Sequence, residues 1–247
     1  MSIRSAPWRK SNDPASKMTA LSEIYEEVSI ETDGVRLPGT LTIPSQATGV
    51  VVFAHGSGSS RFSPRNNQVA QIFHSQGVGT LLFDLLTERE ARDRRNVFDI
   101  ELLAARLVAA TDWLIEHLAF LGRPIPLAYF GASTGAAATL IAAARTTHPI
   151  ASVVSRGGRV DLAQATFNAV RCPCLLIVGS EDTEVLKLNQ LAAPFLPLET
   201  EIKVIQGATH LFEESGALEK VANFSTEWFT RYFSQPPSGL LRGALER

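Results

Sequence analysis

Cysteine is nearly absent from this 247-residue chain, which carries only Cys172 and Cys174. They flank Pro173 at the start of an apolar run that reads as a strand. Residues i and i+2 of an extended strand lie roughly 6.5–7 Å apart at Cα, at the limit of an unstrained disulfide. Two thiols without companions also make no metal site, so both are expected to be small buried residues in a reducing, cytoplasmic compartment. Long hydrophobic runs are missing as well. No stretch of about 18 apolar residues occurs, and none of the chain is expected to enter a membrane. The first twenty residues contain basic groups but no apolar stretch of secretory type, and they are expected to be poorly ordered. Residues 234–247 read as a C-terminal tail. Charge of one sign is lacking too: 23 Lys and Arg against 25 Asp and Glu leave a net charge of −2. No basic field is available for nucleic acid.

What the chain does have is alternation. Short β-branched runs interleave with longer segments of helical period. "EIYEEVSIET" and "VRLPGTLTIP" alternate polar and apolar, as strands with one wet face do. "GVVVFAH", "VGTLLFDLL", "IPLAYFGAS", "IASVVSRGG" and "CPCLLIVG" are strand-length apolar runs, the mark of strands buried on both faces, and "EIKVIQGATH" reads as the last strand. Between them, "NNQVAQIFHSQG" and residues 97–120 have helical spacing. "TGAAATLIAAAR", "TEVLKLNQLAAPF" and the closing "ALEKVANFSTEWFTRYF" do as well. The spacing predicts an α/β fold over residues 21–233: one domain with a mostly parallel, eight-stranded sheet and helices on both faces. Functional residues in such a sheet belong at the carboxyl ends of its strands.

One pentapeptide stands out at such an end. Gly131-Ala132-Ser133-Thr134-Gly135 is G-x-S-x-G between a strand and a helix, the pattern of a nucleophile on a sharp, strained turn. Side chains at the two glycines would collide with the neighbouring backbone. A serine hydroxyl needs a base. Of the five histidines, His74 and His117 fall on amphipathic helices and are expected to face solvent. His148 lies in a loop. His55 and His210 follow strands, and His210, after the last one, is the better candidate. The imidazole needs a carboxylate to fix its tautomer. Asp182, in the turn after "CLLIVG", is placed to supply it; Asp84, earlier in the chain, is the competitor. Two backbone N–H groups are expected to receive the oxyanion: that of Thr134, and that of Ser57 in "HGSGSS", with Gly58 as the alternative. That glycine-rich turn lacks the lysine of a phosphate-binding loop, so a nucleotide site is not expected.

The order Ser133, Asp182, His210, together with "FAHGSGSSR", "FGASTGAAA", "LLIVGSEDTEV" and "GATHLFEE", resembles the α/β-hydrolases. Within them the chain is most similar to the dienelactone hydrolase-like group, over about residues 28–233. The resemblance implies acyl-enzyme chemistry on an ester, lactone or thioester, with no metal and no organic cofactor. Dienelactone hydrolases proper carry cysteine where this chain has Ser133, so true dienelactone activity is not implied. Many relatives insert a cap domain after the sixth strand. Here residues 157–171 leave room for one helix, so a minimal cap or none is expected. Arg61, Arg156 and Arg159 leave the same sheet edge and are candidates to bind an anionic group of a small substrate. A homodimer is left open. Acyl transfer to an acceptor other than water and a catalytically silent binding module are the alternatives.

Overall fold

The computed structural model describes residues 22–235; the expected N-terminal segment and most of the tail lie outside them. Strands β1 (Ile24–Thr32) and β2 (Val35–Ile43) form an antiparallel hairpin. Its turn places Asp33 and Gly34 at φ 45° and 76°, the left-handed pair that a two-residue hairpin turn of matching twist requires. There follow β3 (Val50–Ala54), α1 (Pro64–Ser75), β4 (Gly79–Phe83), two short helices α2 (Glu88–Ala91) and α3 (Arg94–Val97), and α4 (Ile100–Phe120). The chain continues through β5 (Leu127–Ala132), α5 (Thr134–Arg145), β6 (Ile150–Arg156), β7 (Cys174–Gly179), α6 (Thr183–Ala192), β8 (Glu201–Ile205) and α7 (Ala217–Phe233). A 3₁₀ segment, Val160–Ala169, joins β6 to β7, and no cap stands there.

The sheet has eight strands in the order β1-β2-β4-β3-β5-β6-β7-β8. Strand β2 alone runs against the others, antiparallel to both β1 and β4, and every other neighbouring pair is parallel. The parallel strands β3, β4, β5 and β7 are buried along their whole length, as the unbroken apolar runs required.

Alternate side chains of these strands feed two separate cores. On one face Phe53 and Phe130 meet Phe73 of α1 and Phe229 of α7, with ring centroids 4.8–5.8 Å apart. On the other, Val52, Leu81 and Tyr129 pack with Leu107 and Leu114 of α4 and Leu140 of α5. The buried Tyr129 hydroxyl is satisfied by Thr111, 2.6 Å away. Cys172 and Cys174 are free and buried.

Helix starts differ from the periodicity reading for reasons of capping. Helix α1 begins at Pro64, because the Ser63 side chain accepts from the Asn66 N–H and proline suits the first helical position. Helix α4 begins at Ile100, where Asp99 caps the Leu102 N–H. The residues before it fold into α3, capped by Asp93. His74 and His117 are not simply solvent-facing. His74 lies 2.7 Å from the Thr80 hydroxyl. His117 lies 2.9 Å from Glu26 and stacks on Trp113.

Candidate functional site

The turn after β5 carries the strain expected of it. Ser133 sits at φ 52°, ψ −120°, a conformation that L residues rarely adopt and that surrounding structure has to enforce. The enforcement is visible. The Ser133 N–H donates to the Arg156 carbonyl (3.1 Å), and the Ser133 carbonyl accepts from Arg159 and Ala136 (both 3.1 Å). A Cβ on Gly131 would stand 2.5 Å from the Ala136 Cα, and one on Gly135 would stand 2.1 Å from the Ala54 carbonyl oxygen. Both positions therefore exclude any side chain.

Asp182 and His210 come together through two laced loops. The Glu181 N–H donates to the Ala208 carbonyl and the Ser180 N–H to the Ile205 carbonyl, each at 3.0 Å. Phe212, fully buried at φ 56°, anchors the far side of the His210 loop. Asp182 occupies the N-cap position of α6 but makes no side-chain cap. Its Oδ2 instead lies 2.6 Å from Nδ1 of His210. On the opposite edge of the ring, Nε2 lies 3.3 Å from the Ser133 hydroxyl. A carboxylate at Nδ1 fixes the proton there and leaves Nε2 to accept. Asp182 is 13% exposed and His210 38%, so the carboxylate is screened while the imidazole faces the cleft.

The competing groups are engaged elsewhere. His55 is buried; its Nε2 accepts from the Leu85 N–H (3.1 Å) and its Nδ1 lies 3.1 Å from the Gly56 carbonyl. Burial holds this imidazole below its ordinary value, with the Gly56 carbonyl and Asp84 pulling partly back. Asp84 accepts from the Arg61 backbone N–H (2.7 Å) and forms an ion pair with the Arg61 guanidinium.

Of the two expected oxyanion donors, the Ser57 N–H is occupied. It donates to the Thr134 hydroxyl at 2.9 Å, so it can meet a substrate oxygen only by changing partner. Thr134 itself opens α5, where backbone N–H groups and the helix dipole favour negative charge.

The three candidate arginines have different settings. Arg61 is tied to Asp84 and covered by the Phe62 ring, 4.0 Å away. Arg159 is held by Asp161 through two hydrogen bonds of 2.8–2.9 Å. Arg156 is 8% exposed, and its Nη1 is buried with no hydrogen-bond partner among the described residues. Burial and the nearby Arg65 lower its pKa to about 10, which leaves it charged at neutral pH. It lines a cavity of about 250 Å³ together with Ser133, His210, Arg65 and Asn66. The described lining contains no carboxylate, although Arg65 reaches out to the exposed Glu213 at 2.8 Å. Asn66 was not a sequence candidate. Its Oδ1 is buried and unpartnered, and it lines the same cavity as Arg156; the only signal for it was its position in the first turn of the helix after the glycine-rich loop. Among the described residues no cluster of His, Cys, Asp or Glu could hold a metal ion, and no helix is long and apolar enough to cross a membrane.

Residues 47–227 match the family described as alpha/beta hydrolase domain. A curated protein of Mycobacterium tuberculosis, provisionally named a phosphoribosyl transferase, is 51% identical over 215 residues, 87% of this chain and 48% of that protein. The chain thus spans about half the length of the curated relatives it matches. The crystal structure of a dienelactone hydrolase from Anabaena variabilis is 48% identical and superposes with a TM-score of 0.81 over 86% of this chain and 99% of that one. An esterase of Pyrococcus furiosus shares the fold at 18% identity, with a TM-score of 0.68 over 86% of this chain and 93% of its own.

Proposed function

The chain belongs to the α/β-hydrolase domain family, and from that premise we propose that it is a serine hydrolase. It acts on a carboxylic ester, lactone or thioester through an acyl-enzyme intermediate. The hydrogen-bonded line from Asp182 through His210 to Ser133 at the carboxyl edge of the sheet supports this most directly.

In the proposed mechanism the Ser133 hydroxyl attacks the substrate carbonyl while Nε2 of His210 takes its proton. The 3.3 Å separation shortens as that transfer begins. Negative charge gathers on the carbonyl oxygen, which the Thr134 N–H receives, joined by the Ser57 N–H once it leaves the Thr134 hydroxyl. The imidazolium, steadied by Asp182, gives its proton to the leaving oxygen or sulfur as the carbonyl carbon releases it. Water then loses a proton to His210 and attacks the acyl-enzyme. Collapse frees the acid and returns the proton to Ser133.

Arg156 adds a preference for an anionic substrate. A buried guanidinium without a counter-charge carries a desolvation cost of several kcal/mol, and a substrate carboxylate in the same cavity would offset it. The transferase name comes from relatives about twice as long as the matched region. Ester turnover by this chain would not depend on their other half.

A panel of p-nitrophenyl esters, lactones and thioesters tests the reaction class. Ser133→Ala is expected to lower kcat/KM by roughly 10⁴-fold or more with an unchanged circular dichroism spectrum. Fluorophosphonate labelling should vanish in the same variant. Labelling that persists, or turnover near the wild-type level, would refute the assignment.

A further inference from the structure

A second cavity, of about 570 Å³, lies across the glycine-rich loop from Ser133. It shares Gly56, Ser57 and Ser59 with the smaller cavity, so the loop is the common wall. Neither Ser133 nor His210 lines it. Its volume falls within the range of roughly 300–1,000 Å³ typical of small-molecule sites, and the smaller cavity falls below that range.

The two cavities differ in chemistry. Pro38, Leu86, Val97, Leu103, Ala91 and Phe62 give the larger one apolar walls. Its arginines are both paired with carboxylates: Arg61 with Asp84, and Arg36 with Glu31 at 2.9 Å. Nothing there calls for an anion. The smaller cavity holds Arg156, whose Nη1 has no partner among the described residues, and Arg65, whose ion pair is with the exposed Glu213 outside that lining.

The proposed reaction assigns one cavity to each side of the scissile bond. The leaving atom must come within about 3.2 Å of Nε2 of His210 to take its proton. That places the leaving portion in the smaller, cationic cavity that His210 lines. The carbonyl oxygen points at the donors of Thr134 and the loop. The remaining substituent of the carbonyl is directed over the loop, toward the larger cavity.

We propose that the larger cavity is the acyl-binding chamber, taking an apolar aryl or branched alkyl acyl group, and that the substrate is two-ended, with its anionic part on the leaving side. This rests on the serine hydrolase reading of Ser133.

The test varies the acyl and leaving groups separately. Acetyl, isovaleryl and benzoyl esters of p-nitrophenol are compared in wild type, Val97→Trp and Ala91→Trp. Ala91 sits on an exposed helix face, so its replacement tests the chamber even if Val97→Trp fails to fold. In both variants the benzoyl-to-acetyl ratio of kcat/KM is expected to fall at least tenfold, as filling a pocket commonly does. Leu86→Ala is expected to raise that ratio. A parallel series of acetates with phenyl, naphthyl and 4-carboxyphenyl leaving groups should keep its internal ratios within about threefold in both Trp variants. An unchanged acyl ratio overturns the chamber, and a collapse confined to the leaving-group series reverses the assignment of sides. Failure of the hydrolase reading is separable, because wild type would then turn over none of the esters, or Ser133→Ala would leave their turnover intact.

Discussion

A positive φ at a non-glycine residue has to be imposed, and at Ser133 the imposition comes from β6 rather than from the turn itself. The Arg156 carbonyl and the Arg159 N–H hold its backbone on both sides. Ser133, Asp182 and His210 were legible one at a time because each ends a strand or follows one. Their partners were not. The Ser57–Thr134 hydrogen bond spans 77 positions, and no local pattern announces it. The pairing of Arg61 and the isolation of Arg156 depend on which carboxylates the sheet edge brings near. Asp182→Asn should lower kcat by roughly 10³–10⁴-fold, since an amide at Nδ1 favours the wrong tautomer; a pre-steady-state burst assay checks it. Arg156→Met should lower kcat/KM for a 4-carboxyphenyl ester at least tenfold more than for its neutral counterpart. It should leave the melting temperature unchanged or raised, because it removes a buried charge without a partner. A marked fall in melting temperature would assign Arg156 a structural role instead. His55 sets a pH dependence. Its native pKa is depressed by burial, so the unfolded chain binds the proton more readily. The associated stability is present above the ordinary value of about 6.5 and is lost as pH falls from there through the lowered native value. Calorimetry between pH 7 and 5 should show a smaller loss in His55→Gln than in wild type.

Among the elements, strand centres and helix faces were readable because burial on two faces or one leaves a clear period. Closing helix α7 runs over the residues its pattern marked. Boundaries shifted where a single cap decided them, as at Ser63 and Asp99. The segment between β4 and α4 reads as mixed charge and folds as two separately capped short helices. Close approach between elements is also a property of pairs. Helix α5 comes so near the end of β3 that position 135 admits no Cβ. Gly135→Ala should therefore cost about 3 kcal/mol or more. That corresponds to a fall of about 6–12 °C in melting temperature for a fold of this size, and a thermal melt reads it directly.

At the scale of the whole molecule, the family relationship accounts for the sheet and for the edge at which the candidate residues gather. The two cavities were not legible in the sequence, because loops from β2, β3, β4 and the helices after them build their walls jointly. A net charge of −2 surrounds a cleft whose described lining is cationic. Attraction for an anionic substrate should therefore be local and screened beyond about 10 Å at 0.1 M salt. Raising ionic strength from low to physiological should lower kcat/KM for a carboxylate ester by roughly twofold to fivefold and leave a neutral ester unaffected. Stopped-flow rates across a salt series check this. The roof of the larger cavity has a consequence of its own. Helices α2 and α3 bury no residue, and α2 is moored to the body through Glu90, which the buried Arg106 holds at 3.1 Å. Arg89, Arg92, Arg94 and Arg95 lie within or beside these two short turns. Trypsin should nick the native chain here before it cuts elsewhere among the described residues, and a bound acyl group beneath the roof should slow that cut.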